Sequence, residues 1–458
     1  MPRLAIAVCL ACSLAASSAR ASGFAAAEFG GEHGNVVTTN PTALYFNPAG
    51  IALAEGTNFY LSGVLAYRRG SWAHTQAASE LPDPPGAEGA DAGQARFSGL
   101  FGAPALAVTT WIRRLALGGA IYVPFGGRVH WDPNPRFTND PNFPLAADGV
   151  QRWHLIEGSV TSIYFTAGAA LRLGPIALGV TGNLVRSSVY SQQAKSFNPQ
   201  QVVDPLNEGR IGIDVAGTHA SFGVGAMLEA LRERLWIGAS YQAQPGLGSM
   251  NLDGTLSTSL GADVAPPRPI TYTYALPDIF RAGLRIRPPI VGPRALELRL
   301  YGDLTRWSRL QAQCVSIQHE PCAVAVDGSD ATPGATTIQY IRRRWNDTYG
   351  ANLGVSFWAT AAVELFAGTG FATAATPDAT LDPLMPDAFS YRFALGGRFA
   401  VPGGVHVTAG LTAVQYLSRD NTGHSTLTDA ELPTRRPDGG GKYDLWLGLF
   451  HVSLEKRL

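Results

Sequence analysis

From Thr57 onward the chain alternates apolar and polar residues over stretches of about ten or more positions, each closed by a turn or a loop. Successive side chains of a β-strand point to opposite faces, so each stretch reads as a strand with one oily and one mixed face. In 405–417 the oily face carries Val405, Val407, Ala409, Leu411, Ala413 and Leu417, and His406, Thr408, Gly410, Thr412 and Tyr416 lie opposite. In 279–287 Phe280, Ala282, Leu284 and Ile286 oppose Arg281, Arg285 and Arg287. The same rule separates Phe393, Leu395, Phe399 and Val401 from Arg392 and Arg398, and Leu296, Leu298 and Leu300 from Glu297, Arg299 and Asp303.

About ten residues suits a tilted strand crossing a bilayer, but a sheet in a soluble sandwich also alternates. The lengths of the links separate the two. Short links at 111–115, 173–175, 230–235, 287–294 and 401–405 take turns with long ones at 74–95, 131–155, 191–215, 248–272, 311–339, 372–389 and 418–441. Tight turns on one rim and long loops on the other are the mark of an outer-membrane barrel. The pattern predicts an all-β fold, a transmembrane antiparallel β-barrel of about fourteen strands over residues 57–458. An even count puts both ends of the barrel chain on the short-turn, periplasmic side.

Ahead of the first strand the stretch "TTNPTALYFNPAGIAL" holds two Asn-Pro pairs, Asn40-Pro41 and Asn47-Pro48. Asn caps free N–H groups and Pro fits a first helical turn, so each pair starts a short helix. The first is expected to run from Asn40 until the second pair stops it, and the second from Asn47 to near Gly56, each about two turns. Helices this short are unstable alone in water. The apolar knot of Leu44, Tyr45, Phe46, Ile51 and Leu53 needs a cover, and the barrel interior is the nearest one. Residues 22–56 are therefore expected to form a helical plug in the lumen, the alternative being a periplasmic arm ordered by a partner.

Composition agrees. The 458 residues carry no formal net charge, 15% are charged, 46% are hydrophobic, and there are 52 glycines and 31 prolines. That balance suits strands and turns over long helices, and gives no electrostatic pull toward nucleic acid. Arg3, the apolar run 4–16 and Ala19-Arg20-Ala21 form a signal peptide, residues 1–21, which implies export. Cys9 and Cys12 fall inside it, and Cys9-Leu10-Ala11 is a poor lipoprotein box before Cys12. Export leaves Cys314 and Cys322, close together in a polar stretch, as a loop disulfide, or else as two unpaired thiols.

These residues resemble the FadL-type outer-membrane transporters of long-chain fatty acids and other hydrophobic compounds. "ALYFNPAGIA" is similar to that family's Asn-Pro-Ala hatch motif, here Asn47, Pro48, Ala49 and Gly50. "ALPDIFRAGLRIRP", "LRLYGDLTRWSRLQ", "RRRWNDTYGANLGVSF" and "SYRFALGGRFAV" follow in the family's order. The resemblance implies a fourteen-stranded barrel closed by an N-terminal hatch, and facilitated diffusion of a long-chain fatty acid or similar hydrophobic ligand. It also implies a site near the hatch and a lateral opening at a kinked third strand. That strand reads "LALGGAIYVPFGGRVHW", where Pro124 cannot donate to the ladder and Gly126-Gly127 favours a bulge. Pro124, Phe125, Gly126 and Gly127 are thus the expected gate, unless Pro124 merely starts a loop. The setting implied is a monomer among outer-membrane lipids, including lipopolysaccharide, inserted by the barrel assembly machinery. The terminal strand is expected to stop at Leu454, because "HVSLEKRL" lacks the aromatic last residue usual in such barrels.

An amphipathic cargo needs an apolar slot and one or two cations for its head group. Phe24, Phe29, Leu44, Tyr45, Phe46, Ile51 and Leu53 are candidates for the slot. Arg186, Arg281 and Arg344 are candidates for the head group, unless they pair with acids such as Glu157, Asp303 or Glu364. No cofactor or metal is expected, since Asp132, Asp140 and Asp148 match no calcium loop. The competing classes are an outer-membrane enzyme and an open porin or adhesin. The enzyme would need a positioned Ser or Asp with a His, but the nine histidines are scattered and no Gly-x-Ser-x-Gly occurs. The plug distinguishes the last class, since an adhesin needs none and an open porin should conduct small ions.

Overall fold

A computed structural model describes residues 29–77, 80–83, 85–196, 208–260, 263–289, 295–322, 336–427 and 436–458. The expected signal peptide and Phe24 lie outside the described residues. In chain order the strands are β1 (Thr57–His74), β2 (Gly93–Ile112), β3 (Leu115–His130), β4 (Glu157–Leu173), β5 (Ile176–Ser196), β6 (Glu208–Leu231) and β7 (Leu235–Gln242). Then come β8 (Met250–Leu260), β9 (Asp263–Tyr274), β10 (Ile279–Ile286), β11 (Ala295–Thr305), β12 (Ala312–Ile317) and β13 (Thr337–Arg342). The last are β14 (Thr348–Thr360), β15 (Val363–Ala372), β16 (Ser390–Val401), β17 (Val405–Tyr416), β18 (Arg419–Asp420) and β19 (Lys442–Arg457).

Fourteen of these close an antiparallel barrel. β1 to β7 pair in sequence, β7 pairs β10, β11 pairs β14, and β17 pairs β19. The ring is sealed by β1 against β19, from Asn58↔Arg457 to Ala73↔Lys442. Burial follows the alternation strand by strand, as in β5, where Leu178, Val180 and Leu184 are exposed between buried Ala177, Thr181, Asn183 and Val185. The oily face is the outer face. Leu395 is 62% and Leu411 55% exposed, which in a barrel wall is the surface a bilayer covers.

Three expectations about the elements need correction. First, there is a sixth short turn, at 361–362 between β14 and β15, which the shifted pairing beside Trp358 and Thr360 accommodates. Second, the segments 248–272 and 311–339 are not plain loops. β6 outruns the wall, its lower half pairs β7, and its upper half pairs β8 from Ala216↔Asp253 to Gly209↔Leu260, with β9, β12 and β13 following. Leu252, Leu256, Ile270, Tyr272 and Val315 carry the core up into this extension. Third, the last strand does not stop at Leu454 but runs to Arg457, because Glu455 turns inward and meets Arg398 at 2.8 Å.

The segment 29–56 lies within the ring and touches strands on all sides. Its helices are shorter than expected. Asn40 accepts from the backbone of Thr42 at 3.0 Å and makes a turn, so the helix proper, α1, is a single turn, Ala43–Phe46. Asn47 caps the second as expected, accepting from Ala49 N at 3.2 Å, but the element is a 3₁₀ helix, Pro48–Leu53.

Candidate functional site

The wall makes room for the N-terminal segment with inward glycines. At Gly179 a Cβ would fall on the Pro48 backbone, at Gly225 on the Asn47 amide, and at Gly368 on the Glu32 carboxylate. Leu44 lies flush against Gly118 and Gly168 and is fully buried, so it fastens the segment to β3 and β4 and lines no open slot. Asn47 donates to Ala226 O at 3.0 Å and to Val36 O at 2.9 Å, tying the segment to β6 and to itself. Two ion pairs hold the opposite side, Glu32 to Arg392 at 3.2 Å and His33 to Glu364 at 2.8 Å.

On top of the segment sits a column of rings. Phe29 stacks on Tyr122 at 4.8 Å, and Tyr122 on Tyr164 at 5.6 Å. Phe125 then stands 6.5 Å from Tyr164 and 6.1 Å from Trp307, and Trp307 lies 5.1 Å from Trp345. Tyr45 and Phe46 flank the base, with Tyr45 5.2 Å from Tyr122. Each pair contributes about 0.5–1.5 kcal/mol beyond area burial. The rings form one apolar path from the segment to a cleft above it.

β3 carries the column because it bends inward. Tyr122 pairs Tyr164 and Phe125 pairs Ser162, so β3 has one residue too many opposite β4 and bulges at Val123-Pro124. Pro124, Phe125 and Gly126 are buried in succession, where a straight strand would alternate. The neighbouring seam fails at the same height. β2 and β3 pair from Ile112↔Leu115 to Leu106↔Ile121, then part, and meet again only at the bridge Phe97↔Trp131. Among the described residues, 98–105 of β2 have no ladder partner on that side, a gap of about 26 Å at 3.3 Å per residue. Pro124 stands on one edge and Pro104 on the other. Neither needs an N–H partner, so both blunt an edge that would otherwise pair.

The cleft above encloses about 920 Å³ of space, mouth included. Its apolar lining includes Val129, Val160, Val189, Ile213, Leu384 and Met385, with Gly126 and Gly127 on the side of the gap and Trp345 at the end of the ring column. Two charged residues also line it. Arg68 of β1 packs over Phe97 at 5.5 Å and donates to Pro386 O at 3.4 Å. Asp387, in the loop between β15 and β16, accepts from Ala375 N at 2.7 Å and Thr376 N at 3.1 Å. Burial pushes its carboxyl up to about 7, against those two bonds and the pull of Arg419.

The candidate arginines separate. Arg281 faces the lumen, but its guanidinium lies 4.4 Å over the Tyr45 ring and 3.4 Å from Tyr45 O, so the segment occupies it. Arg186 points out of the barrel between Leu184 and Ser188, 3.4 Å from Thr218, because its place in the alternation of β5 is an outward one. Arg344 is exposed in the loop before β14, with φ at 46°, and it is the preceding residue, Arg343, that turns inward to Asp382 at 2.9 Å. The cation at the cleft is Arg68, which sequence reasoning missed although the alternation of β1 places it on the face of Tyr60, Val64 and Ala66. Of the apolar candidates, Phe29, Tyr45 and Phe46 join the column, and Ile51 is buried in the core. Leu53 lines a second, lower cavity. Cys314 and Cys322 form a disulfide. Asp148 is taken by Arg210 at 2.6 Å.

Residues 5–432 match the model of a family described as outer membrane protein transport protein (OMPP1/FadL/TodX). No curated protein matches the chain. Among solved structures it is similar to a Pseudomonas aeruginosa FadL homologue, at 18% identity and a TM-score of 0.72, over 96% of this chain and 98% of that one. It is also similar to the Ralstonia pickettii toluene transporter TbuX, at 14% identity and 0.62, over 92% and 94%. The P. putida toluene transporter TodX follows at 13% and 0.61, again over 92% and 94%. At these identities the structural likeness is one of fold.

Proposed function

The chain belongs to the OMPP1/FadL/TodX family of outer-membrane transport proteins, which are channels and not enzymes, and from that premise we propose how it moves its cargo. The cargo is a long-chain fatty acid or a similarly hydrophobic molecule, such as an aromatic hydrocarbon, and it crosses by facilitated diffusion. It is captured among the long loops on the outer side, enters the cleft beneath them, and moves down the ring column toward the N-terminal segment. That segment, residues 22–56, acts as the hatch, with Asn47-Pro48-Ala49-Gly50 as its pivot. Release is sideways, between β2 and β3 at Pro124 and its neighbours, after a small shift of the hatch. Both ends of the barrel chain face the periplasm, and the protein works as a monomer among lipids that include lipopolysaccharide, having been inserted by the barrel assembly machinery.

One observation carries this reading. The seam between β2 and β3 is unpaired over 98–105 at the height where β3 turns Phe125 into the ring column, so the apolar path and the break in the wall meet. An edge facing hydrocarbon would leave backbone groups unsatisfied, and a gap that borders a lumen tolerates it. The cleft favours a mainly apolar molecule, and Arg68 can take one acidic head group beside it. No energy source is needed beyond a gradient. Uptake of labelled oleate and of labelled toluene by cells making the protein tests the reading. Uptake of either above cells lacking it, lost when residues 22–40 are deleted, is the expected result. An open porin would instead conduct ions with no hydrophobic uptake.

A further inference from the structure

The N-terminal segment grips the wall in two chemically different ways. Toward β3 to β6 the contacts are apolar or neutral, with Leu44 against Gly118 and Gly168, the Pro48 backbone against Gly179, and the Asn47 amide on Ala226 O. Toward β11 to β16 they are ionic, and they start from Glu32 in the short 3₁₀ turn Gly31–His33. Gly354 of β14 and Gly368 of β15 are direct partners, and a Cβ on either would collide with the Glu32 carboxylate. The two glycines make a floor on which that carboxylate rests.

Two arginines border it. Arg392 Nη2 of β16 lies 3.2 Å from Glu32 Oε2. On the other side Arg299 of β11 is the direct partner of Gly354, and the Cβ position over Gly354 that meets Glu32 Oε1 is also 3.1 and 3.2 Å from Arg299 Nε and Nη2. The edge of Arg299 therefore faces the Glu32 carboxylate. Glu32 is 3% and Arg299 2% exposed, so the group is dry, yet neither Glu32 oxygen makes a hydrogen bond, and neither do Arg299 Nε and Nη2. Buried charges that attract without good hydrogen bonds recover little beyond their desolvation, whereas removing one partner leaves an uncompensated charge. Such a contact is closed by charge and lies near balance, which are the properties of a latch.

The latch interrupts a polar lane. Farther from the short turns Arg392 Nη1 donates to Tyr301 Oη at 3.3 Å and Asn352 Oδ1 at 3.4 Å. Nearer to them is the lower cavity, about 1190 Å³ with its opening, whose polar lining includes His33, Arg285, Glu364 and Arg398. The apolar path is elsewhere. Counting β3, β4, β5, β6, β7, β10, β11, β14, the floor of the latch stands seven steps from the kinked strand in a ring of fourteen, on the opposite side of the lumen. We infer that Glu32 is the seal that keeps the barrel closed to ions, held by Arg392 and Arg299 across the polar lane and away from the route of the cargo. This rests on residues 22–56 being the hatch. Glu32 is a positioning residue, so its loss opens a wet lane of the kind that passes ions and spares hydrophobic uptake.

The test compares the full chain with Glu32→Gln, which keeps the shape and removes the charge, in planar bilayers in potassium chloride. Amide exchange at Gly34, Val37 and Thr38, all hydrogen-bonded within the segment, and uptake of labelled oleate by cells are the other readouts. Conductance and exchange should each rise at least tenfold, while oleate uptake stays within a few fold of the wild type. Arg392→Gln reaches the latch from the wall and should leak in the same way, and Glu32→Asp, which keeps the charge, should leak less. Heat-dependent mobility on a denaturing gel checks that each barrel is folded. Deletion of residues 22–40 is the reference. If the deletion conducts while folded Glu32→Gln and Arg392→Gln match the wild type in conductance and exchange, the latch is refuted and the hatch stands. If the deletion also stays closed, the hatch reading falls and the latch with it. Loss of oleate uptake together with the leak overturns the separation of the two lanes.

Discussion

Removing Pro124 should close the wall. Tyr122 and Phe125 pair residues of β4 that are two apart, so β3 carries one surplus residue between them. Deletion restores an unbroken register and leaves both rings facing inward, since each keeps its partner and its parity. A straightened β3 can then pair with 98–105 of β2. Eight positions offer about eight ladder bonds, less one for Pro104, and at about 1 kcal/mol net each the seam could gain roughly 7 kcal/mol as an upper estimate. The expected results are a higher thermal midpoint, slower amide exchange over 98–105, and a fall of at least tenfold in uptake of oleate and toluene. Exchange is the internal control, because it reports closure independently of transport. Unchanged uptake by a barrel whose 98–105 amides are protected would refute lateral release.

Other perturbations reach separate parts of the account. A leucine at Gly179 puts its Cβ on the Pro48 backbone, and overpacking of about 1–3 kcal/mol should displace the N-terminal segment and open an ion conductance in planar bilayers. Phe125→Ala removes a fully buried ring between Tyr164 and Trp307, which should cost about 3–5 kcal/mol by thermal unfolding and broaden the range of molecules admitted. Asp387 titrates at about 7 in the fold against an ordinary 3.8. Its raised value means the folded loop binds the proton more tightly, so the stability is full below about 4 and is lost as pH rises through about 7. Protection of the Ala375 and Thr376 amides, taken relative to their intrinsic base-catalysed exchange, should therefore fall over that window, and Asp387→Asn should flatten the protection profile. Cys314→Ser opens a short covalent loop, eight residues in sequence separation, and should loosen β12 and β13 by about 2 kcal/mol while leaving barrel assembly intact.

Much of the barrel was legible because a wall strand must face oil on one side. That condition writes a period of two, and it oriented Phe393, Leu395 and Leu411 outward and Arg281, Arg285, Glu297 and Arg299 inward without any structure. The strands β8, β9, β12 and β13 were not legible. They stand above the wall, and prolines at 266, 267 and 269 gave β9 the look of a loop. Pro124 could be read as a break, but its counterpart Pro104 could not, since an edge is a relation between two strands and only pairing reveals it. The arginines show the same limit. Arg186 was misplaced because its parity was not counted against Leu184, and Arg344 because a left-handed turn moves the inward position to Arg343. Arg68 could have been found by carrying the alternation of β1 past Ala66.

The central claim is that this barrel passes hydrophobic molecules and not ions. Purified protein in liposomes should deliver toluene or oleate to an internal binding protein at rates that saturate with concentration, while the same preparation in a planar bilayer stays nearly closed to potassium chloride. Steady porin-like conductance with hydrophobic flux no greater than in protein-free liposomes would contradict the account.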